Sequence, residues 1–213
     1  MADPVIYGPA FSTFTRSLRL TLEEKGVPYR LEEINIMEGA HQAPEHLARH
    51  PFAKVPAFEH NDFKLYETAA ILTYIDEAFE GPSLRPAEPR EKARMAQVLS
   101  IISSYAHSAC IRSCFTQRVI MPMLGENPDE DVIAEALPEA TTSINALEAI
   151  IGSQKFLAGD KISLADLFVA PVYDYFSQIP EGKKALAGAP NLRRWWDAIS
   201  QRDSVVKTKP VLG

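Results

Sequence analysis

Three short segments near the N-terminus carry side chains that could do chemistry: Gly8-Pro-Ala-Phe-Ser12, Lys54-Val-Pro56 and Glu67-Thr68. Taken singly, each has an ordinary structural use. Ser12 opens a polar stretch, Ser12-Thr-Phe-Thr15, rich in residues that cap helices. Val55-Pro56 suits the start of a strand, and Glu67-Thr68 suits a second cap. The five histidines, His41, His46, His50, His60 and His107, give metal chemistry little to build on. His46 and His50 are four apart and could share a helix face, but no carboxylate or third histidine completes a ligand set, so no metal is expected. Cys110 and Cys114 are also four apart. A CxxxC spacing on a helix is a poor redox motif and reads as packed or pocket-lining thiols. No glycine-rich phosphate loop is present, so nucleotide chemistry has no support.

The elements that must position these residues can be read from periodicity. Pro4-Val-Ile-Tyr-Gly8 is a short apolar run ended by Gly-Pro and suits a buried strand. Phe14, Leu18 and Leu22 follow at i, i+4 and i+8, the stripe of a helix. Gly26 and Pro28 stand in the order that ends one. Tyr29 to Ile36 reads as a second strand whose alternation breaks at Glu32-Glu33. Strand, helix, strand at this spacing implies a parallel pair with a right-handed crossover. Val55–Glu59 and Phe63–Tyr66 flank a His-Asn-Asp turn and read as a hairpin, and Thr68 to Phe79 as a helix. From Pro89 onward only helices are predicted. One runs to about Met121 with Val98, Ile101, Ile102, Tyr105 and Ala109 near one stripe, closed by Pro122 and Gly125. The others cover Asp129–Ile151, a stretch begun by the capping box Ser163-Leu-Ala-Asp166, and Asn191–Arg202. Gly81, Pro82, Pro86 and Pro89 punctuate the junction. The expected organisation is an α/β domain over 1–80 ordered βαβ then ββα, a linker over 81–90, and an all-α domain over 91–213.

Composition narrows the class further. The chain has 213 residues, 46% hydrophobic and 23% charged, enough for a core without covalent staples. The net charge of -6 and pI near 5.4 argue against nucleic acid as a partner. That charge sits wholly in residues 1–80, where 13 Asp and Glu face 7 Lys and Arg. No apolar run reaches the roughly 18 residues of a membrane helix. The N-terminus MADPVIYGP has no basic region followed by an apolar stretch, so no secretory signal is expected. Two cysteines suit a reducing cytosol, and a cytoplasmic protein is expected.

Together and in this order, the motifs resemble those of the glutathione transferases. The resemblance is closest to the serine-type classes, above all the phi class. Its carriers are Gly8, Ser12, Thr15 and Arg16, then His41, His50-Pro-Phe52, Val55-Pro-Ala-Phe58 and Glu67-Thr68. Met121-Pro-Met-Leu124 and Ser163-Leu-Ala-Asp166 extend the likeness over the whole chain. The resemblance implies a thioredoxin-like first domain, a helical domain supplying the electrophile pocket, glutathione as co-substrate, and a two-fold homodimer. In that dimer the acidic first domain would pack on its partner's helical domain.

It also implies roles for individual residues. The glutathione thiol, with a pKa near the reference of about 8.5, is mostly protonated at neutral pH, whereas conjugation needs the thiolate. Lowering that pKa by about two units takes about 2.7 kcal/mol of preferential thiolate stabilisation. Ser12, where a strand leads into a helix start, would donate to the sulfur, aided by the helix N-terminus. Tyr7 is the rival, since other classes use a tyrosine near this strand. Pro56 is expected to be cis, leaving the Val55 main chain to pair with the cysteinyl unit. Glu67 would accept from the γ-glutamyl ammonium, and Thr68 would bind the α-carboxylate. His41 and Lys54 would meet the glycine carboxylate. Lys54 stands where glutamine is more common in the family, and Gln42 where lysine is. Phe11, Cys114, Phe115 and Arg118 are expected to line the electrophile pocket. Residues 1–80 hold no cysteine, which disfavours disulfide reduction through a protein thiol. Conjugation to small hydrophobic electrophiles is the expected reaction, with reduction of organic hydroperoxides beside it. A non-catalytic ligand-binding or interaction scaffold and a glutathione-dependent dehalogenase or isomerase are the alternatives.

Overall fold

The structure is a computed structural model that describes residues 3–210; the predicted domain limits at 1 and 213 lie outside the described residues. It divides into two compact units, residues 1–84 with 201–213, and residues 85–200.

The first unit is built on a four-stranded sheet in the order β2-β1-β3-β4. β1 (Val5–Tyr7) pairs parallel with β2 (Arg30–Glu32) and antiparallel with β3 (Ala57–His60), which pairs antiparallel with β4 (Phe63–Tyr66). Helix α1 (Thr13–Lys25) makes the parallel crossover. It ends as predicted: Gly26 sits at φ 69, and its N–H reaches the Glu23 and Leu22 carbonyls. α2 (Pro44–Leu47) is a single turn after a short 3-10 turn at Ala40–Gln42, and α3 (Thr68–Ala78) packs on α1. The core of this unit is Ile6, Leu18, Leu22, Phe58, Ile71, Leu72 and Ile75, all fully buried.

β2 is shorter than the predicted Tyr29–Ile36. It stops at the acidic pair because the Glu33 carboxylate leaves the ladder to accept the Ala10 N–H, and because Asn35 Oδ1 turns the chain by accepting from Met37 and Glu38.

The boundary of the unit also differs from 80. Leu84 is buried, and its N–H donates to Asp76 Oδ1 at 2.7 Å. The buried Lys25 ammonium binds Asp76 and the Pro82 carbonyl. The predicted linker is therefore partly structure. The C-terminal residues, predicted to belong to the helical domain, join the first unit instead. Arg202 forks onto Glu24 at 2.7 and 2.6 Å, Ser204 also donates to Glu24, and Arg16 donates to the Val205 carbonyl. These contacts dock the short C-terminal helix Asp203–Lys207 onto α1.

The second unit is all helical. α4 (Pro89–Ile101) runs on without a break into a segment wound with the wider π hydrogen-bond pattern over Ile102–Ile120, and then into α5 (Met121–Met123). Thr116 Oγ1 shows that wider winding by donating to the carbonyl five residues back, Ile111. α6 (Glu130–Ile151) is capped by Asp129, and α7 (Leu164–Phe176) is almost wholly buried. The predicted capping box at its start is formed. The fully buried Asp166 carboxylate accepts from Ser163 N and Oγ, Leu157 N and Trp195 Nε1, all within 2.9 Å. α8 (Pro180–Ala187) was not predicted, and α9 (Pro190–Ile199) stops short of the predicted Arg202.

Candidate active site

Ser12 is the N-cap of α1, in extended backbone with φ -63 and ψ 129. Its Oγ accepts the Thr15 N–H at 3.3 Å. A hydroxyl accepts and donates through different atoms, so this cap leaves the Ser12 proton to give to another acceptor. The first turn of α1 has no acidic residue, so its exposed N–H groups are not offset by a carboxylate of their own helix. The loop before it is held from both sides: the Ala10 N–H meets Glu33 Oε1 at 3.1 Å, and the Ser12 N–H meets the Pro9 carbonyl at 3.0 Å.

Gly8 brings this loop against the second motif. A Cβ there would stand 2.5 Å from Thr15 Oγ1, 3.4 Å from Val55 Cβ and 3.6 Å from Pro56 Cα. Only glycine lets the chain pass so close. The Val55–Pro56 peptide bond is cis, as expected. Val55 precedes β3, so its peptide groups lie outside the ladder that pairs Ala57 with Tyr7. Glu67 is the N-cap residue of α3, exposed, with a positive φ of 70, and its side chain makes no capping bond. Thr68 begins that helix and is buried.

Tyr7 is otherwise engaged. Its hydroxyl donates to Glu59 Oε2 at 2.9 Å, and the Arg49 guanidinium lies 4.2 Å from its ring centre. Burial, then the Glu59 carboxylate, pushes the Tyr7 phenol above its ordinary pKa. Burial also pushes the Glu59 carboxyl up, but the Tyr7 hydrogen bond and the charges of Arg49 and Lys64 outweigh it and hold the group below its usual range. Tyr7 lines a cleft of about 470 Å³ with Asp3, Val5, Arg30, Glu59 and Asn61, and Ser12, Val55 and Glu67 are not among the lining residues.

Lys54 is exposed, and His41 is half-buried with its Nδ1 unpartnered. Phe11 is half-buried beside Ser12 in sequence. Two histidines to which the sequence assigns no binding role lie beside Lys54 and Tyr66. His46, weighed only as a metal ligand, and His50, which also heads the His50-Pro-Phe52 motif, are buried, with His46 Nε2 2.7 Å from the Lys54 carbonyl and the His50 ring 5.0 Å from that of Tyr66. For His46 the sequence signal was its i, i+4 spacing to His50.

The residues of the helical unit that the resemblance assigns to the electrophile pocket are enclosed or tied to neighbours. Cys114 and Phe115 are 0% and 2% exposed, and Phe115 stacks on Tyr175 with ring centres 4.5 Å apart. Burial pushes the Cys114 thiol up to about 11 and the Cys110 thiol higher still, so both stay protonated. Arg118 gives its guanidinium to Glu130 and Glu181, bridging the π segment to α6 and α8. Cys114 and Phe115 are packed inside the helical unit, and Arg118 ties three of its segments together.

Residues 5–77 match the family model for the glutathione S-transferase N-terminal domain, and residues 93–203 that for the C-terminal domain. Glutathione S-transferase F10 of Arabidopsis thaliana is 34% identical over 92% of this chain and 92% of its own length. Glutathione S-transferase 1 of Zea mays is 32% identical over 100% of this chain and 98% of its own. Among solved structures, glutathione transferase F7 from Populus trichocarpa superposes with a TM-score of 0.86 at 31% identity, covering 96% of this chain and 97% of that one. Glutathione S-transferase I from Mais, in complex with an atrazine glutathione conjugate, does so with 0.83 at 31% identity, covering 97% and 96%. The chain belongs to the glutathione S-transferase family, is a transferase, and has its relatives among the phi-class enzymes of plants.

Proposed function

We propose that this transferase binds glutathione in its first unit, lowers the thiol pKa with Ser12, and joins the thiolate to a small hydrophobic electrophile. The observation that carries the reading is the Ser12 cap. Its oxygen is satisfied by the helix, and its proton is left to donate at a helix N-terminus whose first turn carries no acidic residue. The cis Val55–Pro56 loop packed on Gly8 supports main-chain pairing of Val55 with the cysteinyl unit. Exposed Glu67 and the α3 start support capture of the γ-glutamyl ammonium and α-carboxylate by Glu67 and Thr68. His41 and Lys54 are the cationic candidates for the glycine carboxylate. Phe11 is retained as a wall of the electrophile pocket. The same thiolate supports reduction of organic hydroperoxides, and a detoxifying role in the cytoplasm fits buried, reduced thiols.

The homodimer belongs to this reading too. Phe52 is 66% exposed, and its ring extends the exposed face of Tyr66 at 6.0 Å, an aromatic pair that a second copy would cover.

Thiolate ultraviolet absorbance of bound glutathione against pH tests the mechanism. The wild type is expected to titrate about two units below the free thiol, and Ser12→Ala to return toward the free value. A bound thiol with an unshifted pKa, or a Ser12→Ala variant like the wild type, removes Ser12 from the role.

A further inference from the structure

We propose that His46 is a positioning residue for glutathione binding, fixing the Lys54–Val55 main chain through the Lys54 carbonyl and tying it, through His50, to the Tyr66–Glu67 arm. The inference rests on the site reading given above. His46 is 2% exposed, on the single turn α2. Its Nε2 lies 2.7 Å from the Lys54 carbonyl oxygen. A carbonyl only accepts, so Nε2 carries the proton. Nδ1 is then the remaining polar atom, buried and without a hydrogen-bond partner among the described residues.

That orphan nitrogen is costly, since a buried polar atom loses its water. A leucine or phenylalanine would fill the same space with no such cost. The Lys54 hydrogen bond is what the imidazole adds over an apolar side chain. It acts where restraint is needed, because Ala53, just before Lys54, holds a left-handed φ of 52 that an alanine rarely adopts. The Ala53 N–H bond to the His50 carbonyl, at 3.0 Å, braces the same turn.

His50 carries the link across the site. Its ring stacks on His46 with centroids 6.4 Å apart and 17° between planes, and meets the Tyr66 ring at 5.0 Å. Burial pushes the His50 pKa down, against the pull of the Glu67 carboxylate, so the ring is neutral and stacks without charge repulsion at neutral pH. The chain from Lys54 through His46, His50 and Tyr66 therefore ends next to Glu67, and both arms proposed to grip the tripeptide share one brace centred on two buried histidines.

Calorimetric titration of glutathione into the intact 213-residue chain tests this with His46→Phe, which keeps a planar ring but loses the donor, and His46→Gln, which restores one. His46→Phe is expected to weaken glutathione binding about tenfold, and His46→Gln to recover most of that. The bound-thiol pKa, set at Ser12, should stay at the wild-type value in both. A structural role alone would lower Tm in both variants and leave the dissociation constant where it is, and that result overturns the proposal. Equal losses in the two variants also overturn it. The wild type offers a readout that does not depend on variants folding. Long-range proton–nitrogen spectra should show the His46 proton on Nε2, and a ring that carries its proton on Nδ1 alone overturns the assignment. A wild type that fails to bind glutathione overturns the site reading and this inference together. A wild type that binds, with His46 variants unchanged, overturns this inference alone.

Discussion

Ser12 and Gly8 divide the work at the β1–α1 junction. In the proposed mechanism Ser12 supplies the group, and Gly8 supplies the space that lets α1 start against Val55–Pro56. Because a Cβ at Gly8 would meet Thr15 Oγ1 at 2.5 Å, Gly8→Ala forces the helix start or the cis-proline loop to shift. The expected cost is about 1–3 kcal/mol of stability, read as a lower Tm. Displacing the Ser12 hydroxyl by a fraction of an ångström should also lower kcat by at least about tenfold. Adding Thr15→Ala removes the clashing atom and should restore part of both. Wild-type kcat in Gly8→Ala alone would show that the junction tolerates the shift.

At the scale of elements, the long helix of the second unit carries its own pH sensitivity. His107 lies on the π-wound segment, where burial and then the Arg112 charge push its pKa down from 6.5 to about 4. Between those values the unfolded chain binds a proton that the native state refuses. Stability is therefore fully present above about pH 6.5 and is lost as pH falls toward 4. The full shift corresponds to about 3 kcal/mol, and the solvent that reaches this partly buried ring reduces it. Thermal melts at pH 7 and pH 5 should show a fall in Tm for the wild type and a smaller one for His107→Gln. Equal falls would place the acid sensitivity elsewhere. On the same helix Arg118 ties segments together, since two carboxylates from α6 and α8 share its guanidinium.

At the scale of the molecule, the first unit is closed by the far end of the chain. Glu24 near the end of α1 takes three donor groups from Arg202 and Ser204, and Lys207 pairs with Glu23 at 3.3 Å. The proposed homodimer adds a second closure, over Phe52. Phe52→Ala should raise the dimer dissociation constant by at least about tenfold, seen by analytical ultracentrifugation, because an aromatic buried at an interface anchors it. An unchanged constant would move the interface away from this face.

The sequence by itself determined the order of elements, the caps and the junction residues. Ser12, Gly26 and the Ser163–Asp166 box are local devices that read the same in any fold, because each is satisfied within about five residues of itself. The ordered motifs also determined the family. What only the tertiary structure decided depends on groups distant along the chain. The Tyr7 hydroxyl is engaged by Glu59, 52 residues away. The C-terminal helix went to the first unit because Arg202 reaches Glu24, 178 residues back. Cys114 and Phe115 are enclosed by helices distant in sequence, with Phe115 stacked on Tyr175 of α7. The π winding of Ile102–Ile120 is equally invisible to pattern, since the same apolar stripe serves either hydrogen-bond register. His46 became informative only when folding set its Nε2 against the Lys54 carbonyl, a contact that spacing alone does not encode.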